Sequence, residues 1–150
     1  VGQNDYSKGK VERIINLTDN ISFIPVICYE IVFYWKLLNK LNNNGNFIVN
    51  ITNDFWFGDY LGPYQHFYLT KIRAAEFNKP IIRVSNNGIS AVINNNGAVL
   101  NKTAFNKAEN FKHKLLFKEN NNFVNFHSIF KIYLFIIFTL TTFYYLRKND

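Results

Sequence analysis

Cys28 is the sole thiol of this chain, and it closes a short apolar run, Phe23 to Ile27, with Glu30 two residues beyond. A thiol at the end of a strand and the start of a tight turn can act as a nucleophile. A backbone N–H in the turn can face the charge that develops on an attacked carbonyl. Such a nucleophile needs a base to take its proton and a partner that steadies the thiolate. Glu30 is close in sequence, but it follows the end of the strand and is expected to point away from Cys28. His66, His113 and His127 are the only histidines. A Cys–His pairing is conceivable, yet none of the three stands in a recognisable setting. The competing reading of Cys28 is a small buried hydrophobe. Residue types alone leave the reaction undecided.

The elements that must position this thiol can be read along the chain. Residues 1 to 20 are polar and mixed, with Gly2 and Gly9, and read as loop. Phe23 to Ile27 is a continuous apolar run, the pattern of a strand buried on both faces. Ile31 to Leu41 carries apolar residues at helical spacing, and the Asn-rich stretch 42–46 breaks it. Phe47 to Ile51 reads as a second buried strand, and Asn53 to Tyr60 as an aromatic-rich loop. Pro63 suits the first turn of a helix running to about Asn78. Pro80 closes it before a third strand from Ile81 to Val84. Asn86-Asn87-Gly88 is a turn signal. Ile89 to Ile93, then Asn94 to Gly97, then Ala98 to Leu100 reads as a β-hairpin. Alternating strands and helices followed by a hairpin predict a layered α/β domain.

From Asn101 to Phe126 the periodicity is lost. Ile129 to Leu146 then reads "IFKIYLFIIFTLTTFYYL", with Lys131 as its only charge. This is long enough to span a bilayer. Lys131 sits near one end, where its stem can snorkel, while Tyr144 and Tyr145 form an interface belt at the other. Arg147 and Lys148 follow, which places the carboxy terminus in the cytoplasm and the α/β domain on the opposite side. The expected division is residues 1–126 as the α/β domain and 127–150 as a transmembrane helix with a short basic tail.

Bulk composition narrows the classes. The 150 residues are 48% hydrophobic and 18% aromatic, which argues against disorder and suffices for one core. One cysteine excludes an internal disulfide and a multi-cysteine metal site. The net charge of +7 comes from scattered lysines without a basic cluster, so a nucleic-acid partner is not expected, and a basic surface toward anionic lipid fits as well. The abundance of Asn, Phe, Ile and Lys has the look of an AT-rich genome. The chain has no methionine and begins with Val1, so we expect it to be the carboxy-terminal part of something longer.

Four stretches then carry a resemblance: "PVICYEI" (25–31), "NITNDFWFGDYLGPYQHF" (50–67), "KIRAAEFNKPIIRVSNNGISAVI" (71–93) and "NNNGAVL" (94–100). In order and spacing they resemble the carbon–nitrogen hydrolase domain of the apolipoprotein N-acyltransferase family, within the nitrilase superfamily. The densest match runs from residue 24 to 100, and the terminal membrane helix also fits. The resemblance implies part of a nitrilase-like α-β-β-α sandwich followed by one transmembrane helix. It implies a bacterial inner-membrane protein with the α/β domain in the periplasm. It also implies a thioester mechanism without cofactor or metal. Cys28 would take an acyl chain from a phospholipid donor and pass it to the amino-terminal diacylglyceryl-cysteine of a lipoprotein acceptor.

The resemblance assigns supporting positions as well. Tyr29 and Glu30 match the family's C-Y-E, where they support the site. Asn53, Asp54, Trp56 and Gly58 match a loop over the pocket, with an aromatic contact to lipid. Arg83, Asn86 and Asn87 are expected to fix the turn beside the site. Arg73 and Glu76, three apart on a helix, are expected to form a structural ion pair. His66 is expected to be a helix-surface or hydrogen-bonding residue and not a base. The family's base and lysine lie upstream of its cysteine, the lysine in a motif leading into a V-P-F-G-E stretch. Lys8, Lys10 and Glu12 do not match that context, so neither role is carried over. The missing amino-terminal part of the same enzyme is thus an expected partner. The alternatives are an inactive fragment or split-gene remnant, and a nitrilase-like amidase.

Overall fold

The computed structural model describes residues 14–33, 45–115 and 126–149, and the chain divides into two units, Val1–Phe117 and Lys118–Asp150. In the first unit the described strands form one sheet in chain order: β1 (Ile15–Thr18), β2 (Ile21–Ile27), β3 (Phe47–Thr52), β4 (Ile81–Ser85), β5 (Ala91–Ile93) and β6 (Val99–Lys102). β2, β3 and β4 run parallel, while β1, β5 and β6 join antiparallel. The hairpin of β5 and β6 and the three apolar strands stand where the sequence pattern predicts them. β1 falls in the stretch expected to be loop: its four residues are all exposed, so pairing with β2, not burial, holds it in place.

The helix α1 (Leu61–Phe77) begins two residues before the expected Pro63. It ends where Asn78 adopts a left-handed backbone, φ 50°, with Pro80 following, a common way to stop a helix. Its buried residues are Pro63, His66, Phe67, Thr70, Arg73, Ala74 and Phe77, a stripe at helical spacing. Of the helix expected from Ile31 to Leu41 only Ile31–Phe33 are described, and Ile31 and Val32 belong to a short 3-10 helix over Cys28–Val32; residues 34–44 lie outside the described residues. Arg73 holds the end of this turn. Its Nε donates to the Ile31 carbonyl at 3.0 Å and a terminal nitrogen to Val32 at 3.3 Å, so a residue of α1 holds the end of this segment. Arg73 also pairs with Glu76, as expected.

Register explains how the sheet passes from core to site. Ile24, Ile48, Ile81 and Ile93 lie side by side on four strands, all buried. With Phe67, Ala74 and Phe77 they belong to the apolar core, each fully buried isoleucine contributing about 2 kcal/mol. Two residues further along the parallel strands the row becomes Val26, Asn50, Arg83 and Ala91, still buried. Beyond that Thr52 lies beside Ser85, at the level where β2 gives way to Cys28. Polar residues thus replace apolar ones toward the carboxyl ends of the parallel strands, where open α/β sheets place their sites. On the opposite face Ile27, Ile51 and Val84 align and are about half exposed.

In the second unit α2 spans Phe126–Asn149. Its stretch Ile129–Arg147, 19 residues, is long and apolar enough to cross a membrane, rising about 28 Å. The hydroxyls of Thr139, Thr141 and Thr142 each donate to a carbonyl of the preceding turn, so their polarity is satisfied within the helix.

Candidate active site

Cys28 sits at the junction of β2 and the 3-10 helix with φ 49°. A left-handed backbone is costly for a residue with a side chain, about 1–3 kcal/mol, and persists only where neighbours hold it. Asn50 is one such neighbour. From the buried row below, its Nδ2 donates to the carbonyls of Val26 at 3.1 Å and Cys28 at 3.3 Å. Glu30 is another: its Oε2 accepts from the backbone N–H of Ile27 at 2.8 Å, which ties the head of the 3-10 turn to its third residue. Glu30 therefore acts on the backbone at the cysteine. The Cys28 thiol itself is half-buried, and Thr52 Oγ1 lies 3.4 Å from its Sγ.

Thr52 leads to Asp54. The Asp54 carboxylate is fully buried and receives four donors. Oδ1 takes Thr52 Oγ1 at 3.2 Å and His66 Nδ1 at 2.8 Å. Oδ2 takes an Arg83 terminal nitrogen at 2.6 Å and Ser85 Oγ at 2.8 Å. Burial alone would raise this carboxyl; the His66 bond, the Arg83 charge and the Ser85 hydroxyl outweigh it and bring it from 3.8 to about 2. Arg83 is equally enclosed. Its other donors go to Asn50 Oδ1 at 2.8 Å, Thr70 Oγ1 at 3.0 Å and the Ile89 carbonyl at 3.3 Å. Burial pulls the guanidinium below its ordinary value, and the Asp54 charge pulls it back up.

An ionised carboxylate only accepts, so His66 Nδ1 carries the proton it shares with Asp54. Asp54 and Arg83 pair charge to charge beside the ring of His66. Its Nε2 is buried and has no hydrogen-bond partner among the described residues. The ring lies between Tyr29, centroids 5.6 Å apart, and Phe57 at 5.3 Å. His66 is thus a hydrogen-bonding residue as expected, but an interior one and not a helix-surface one. Helical spacing with Pro63, Thr70 and Phe77 was the signal that could have placed it inside.

The remaining predicted positions fall around this cluster. Asn53 caps the 3-10 turn Asp54–Phe57, its Oδ1 accepting from Phe55 N at 3.2 Å, and Asn86 reaches the same oxygen at 3.4 Å. Gly58 ends that turn at φ 67°, ψ −163°, a conformation open essentially to glycine. Trp56 points away from the cluster into solvent. Asn87 lies in the turn before Gly88 and is half-buried. Gly88 answers to close approach: a Cβ there would collide with the Asp54 carboxylate and stand 2.6 Å from Ser85 Oγ. Arg83 was expected to fix that turn. It does bind the Ile89 carbonyl, but it stands at the centre of the buried cluster. Among the described residues no group of His, Cys, Asp and Glu is arranged to hold a metal.

The carbon–nitrogen hydrolase family model matches residues 9–110, so it covers the sheet, α1 and every residue of the cluster. The chain belongs to the carbon–nitrogen hydrolase family. Within the carbon–nitrogen hydrolases it is similar to the apolipoprotein N-acyltransferase of Allorhizobium ampelinum, 42% identical over 101 residues, which are 67% of this chain and 19% of that protein. The apolipoprotein N-acyltransferase of Wigglesworthia glossinidia brevipalpis is 43% identical over 83 residues, 55% of this chain and 17% of that one. The chain therefore spans about a fifth of the length of these curated relatives. Among solved structures, Nit3 of Saccharomyces cerevisiae, a member of branch 10 of the nitrilase superfamily, superposes with a TM-score of 0.53 at 18% identity, covering 68% of this chain and 40% of that one. That likeness is one of fold.

Proposed function

We propose that this chain is the carboxy-terminal part of a membrane apolipoprotein N-acyltransferase, with Cys28 as its nucleophile. The observation that carries the reading is the left-handed turn at the end of β2. There a half-buried thiol stands over a buried polar cluster built on the Asp54–Arg83 ion pair, within a segment about 40% identical to proteins of that name. A nucleophile on a sharp strand-to-helix turn is also how serine hydrolases of another fold expose theirs. The Cys28 thiolate attacks the carbonyl carbon of a phospholipid ester. The C–O bond breaks, a proton reaches the departing alkoxide, and a lysophospholipid leaves behind a thioester. The free amine of a diacylglyceryl lipoprotein then attacks the thioester carbon. The C–S bond breaks, the amine loses a proton, and the amide and the thiolate result.

Tyr29, Glu30, Asn53, Asp54, Gly58, Arg83, Asn86 and Asn87 hold this turn and its surroundings, and Trp56 faces lipid. The base and the cation are supplied by an amino-terminal part of the same enzyme. The first unit lies in the periplasm of a bacterial inner membrane and the tail after Arg147 in the cytoplasm, in keeping with the basic residues that follow the apolar stretch.

The test pairs this chain with an upstream polypeptide carrying the family's glutamate and lysine in a strain lacking its own acyltransferase. Acylation of a lipoprotein amine is expected with Cys28 and abolished by Cys28→Ala, while this chain alone forms no hydroxylamine-labile acyl group with phospholipid. Transfer by the alanine variant at a rate near the parent's would sink the assignment. A tag after Asp150 that is digested in intact spheroplasts would reverse the orientation.

A further inference from the structure

Thr52 joins the sulfur to the buried cluster, and its hydroxyl has one proton to give. Its oxygen lies 3.4 Å from Cys28 Sγ and 3.2 Å from Asp54 Oδ1. With the sulfur protonated, S–H donates to Oγ1 and the hydroxyl donates to Asp54. With the sulfur ionised, an acceptor only, the hydroxyl must turn toward it. That turn leaves Asp54 with His66, Arg83 and Ser85 as donors, so the buried carboxylate never stands unpaired. We propose that Thr52 is a positioning residue for Cys28, its hydroxyl turning from Asp54 to the sulfur as the thiol loses its proton. The proton of the thiol leaves to a base; Thr52 keeps its own and only redirects it. The inference rests on the reading of Cys28 as the nucleophile.

Other groups around the sulfur neither donate to it in the described residues nor take the place of the hydroxyl. Arg83 feels the Cys28 charge, but its donors go to Asp54, Asn50, Thr70 and Ile89. Glu30 is turned onto Ile27 N. Tyr29 lies against the rings of Phe33, Phe57 and His66, and His66 gives its Nδ1 proton to Asp54. Thr52 itself is buried in the strand row, and Ser85 is its neighbour in register.

Because Cys28 is the only cysteine, alkylation of the full 150-residue chain in neutral detergent reports on this thiol alone. Iodoacetamide labelling is followed by mass across a pH series for the parent, Thr52→Val, Thr52→Ala and Thr52→Ser. Loss of the hydroxyl is expected to displace the Val and Ala profiles upward by about one pH unit, which is about tenfold slower labelling at neutral pH. Serine is expected to restore the rate to within about twofold, since it keeps the donor. The alanine chain serves if the valine chain loses its cooperative melt. Val and Ala profiles that overlay the parent's, or a serine profile displaced as far as theirs, would overturn the proposal. The labelling reads no acyl transfer. Displaced profiles together with transfer that survives Cys28→Ala would remove the enzymatic reading and leave the turning hydroxyl standing; overlaid profiles with transfer abolished would do the reverse.

Discussion

Asp54 and Trp56 stand two residues apart on one short turn, yet the first is 0% exposed and the second 84%. Behind the turn lies a polar interior built on the Asp54–Arg83 ion pair and the hydrogen bonds around it. In front lies an apolar surface, Phe55, Trp56, Tyr60 and Leu61, all exposed. The two sides obey different physics. A buried charge is held by pairing, and its loss strands a partner. An exposed ring is surrounded by solvent and holds nothing in the folded chain. The segment Asn53–Gly58 therefore carries structural duty on one side and is free for contact duty on the other.

The contrast can be broken first at Arg83. Arg83→Met leaves Asp54 buried without its countercharge, and we expect a loss of about 3–5 kcal/mol, read as a lower urea midpoint for the sheet unit. A loss near zero would show that water reaches the cluster. A gentler perturbation is acid. Asp54 is held near 2 in the folded chain, below its ordinary 3.8. The stability it contributes is therefore present above about pH 4 and lost as pH falls through about 2, amounting to about 2 kcal/mol. Melts taken between pH 5 and 2 should steepen in that window for the parent and flatten for Asp54→Asn; equal slopes would remove Asp54 from the account. The smallest effect belongs to Trp56→Ala, expected to move stability by no more than about 0.5 kcal/mol. A melt displaced as far as that of Arg83→Met would erase the distinction between the two sides.

Much of the frame was readable because apolar runs speak for themselves. The strands around Ile24, Ile48 and Ile81 are buried and β-branched, and the hairpin announces itself with Asn-Gly. The site was less readable because its binding residues break that pattern. Asn50 interrupts an apolar strand, and α1 buries His66, Thr70 and Arg73 beside Phe67 and Phe77, so the stripe on its inner face is part polar. Arg83 was legible as a site residue only through resemblance, since its partners come from β3, the turn after it and α1. A tight turn after Cys28 was legible, but not its 3-10 form or its anchor, because Arg73, far along the chain, takes the carbonyls of Ile31 and Val32. Thr52, which lies between the thiol and the cluster, carried no signal: a threonine at the end of a strand is ordinary.

In the middle turns of α2, from Leu134 to Thr142, Thr139, Thr141 and Thr142 are the only polar side chains, and each hydroxyl is already spent on a carbonyl of its own helix. Such a stretch presents hydrocarbon all the way round. In a bilayer its aromatic and basic ends, Tyr144, Tyr145 and Arg147, fix how deep it sits, but nothing along its middle selects an azimuth. Placed in a bilayer, such a helix would be moored for depth and not for rotation about its own axis.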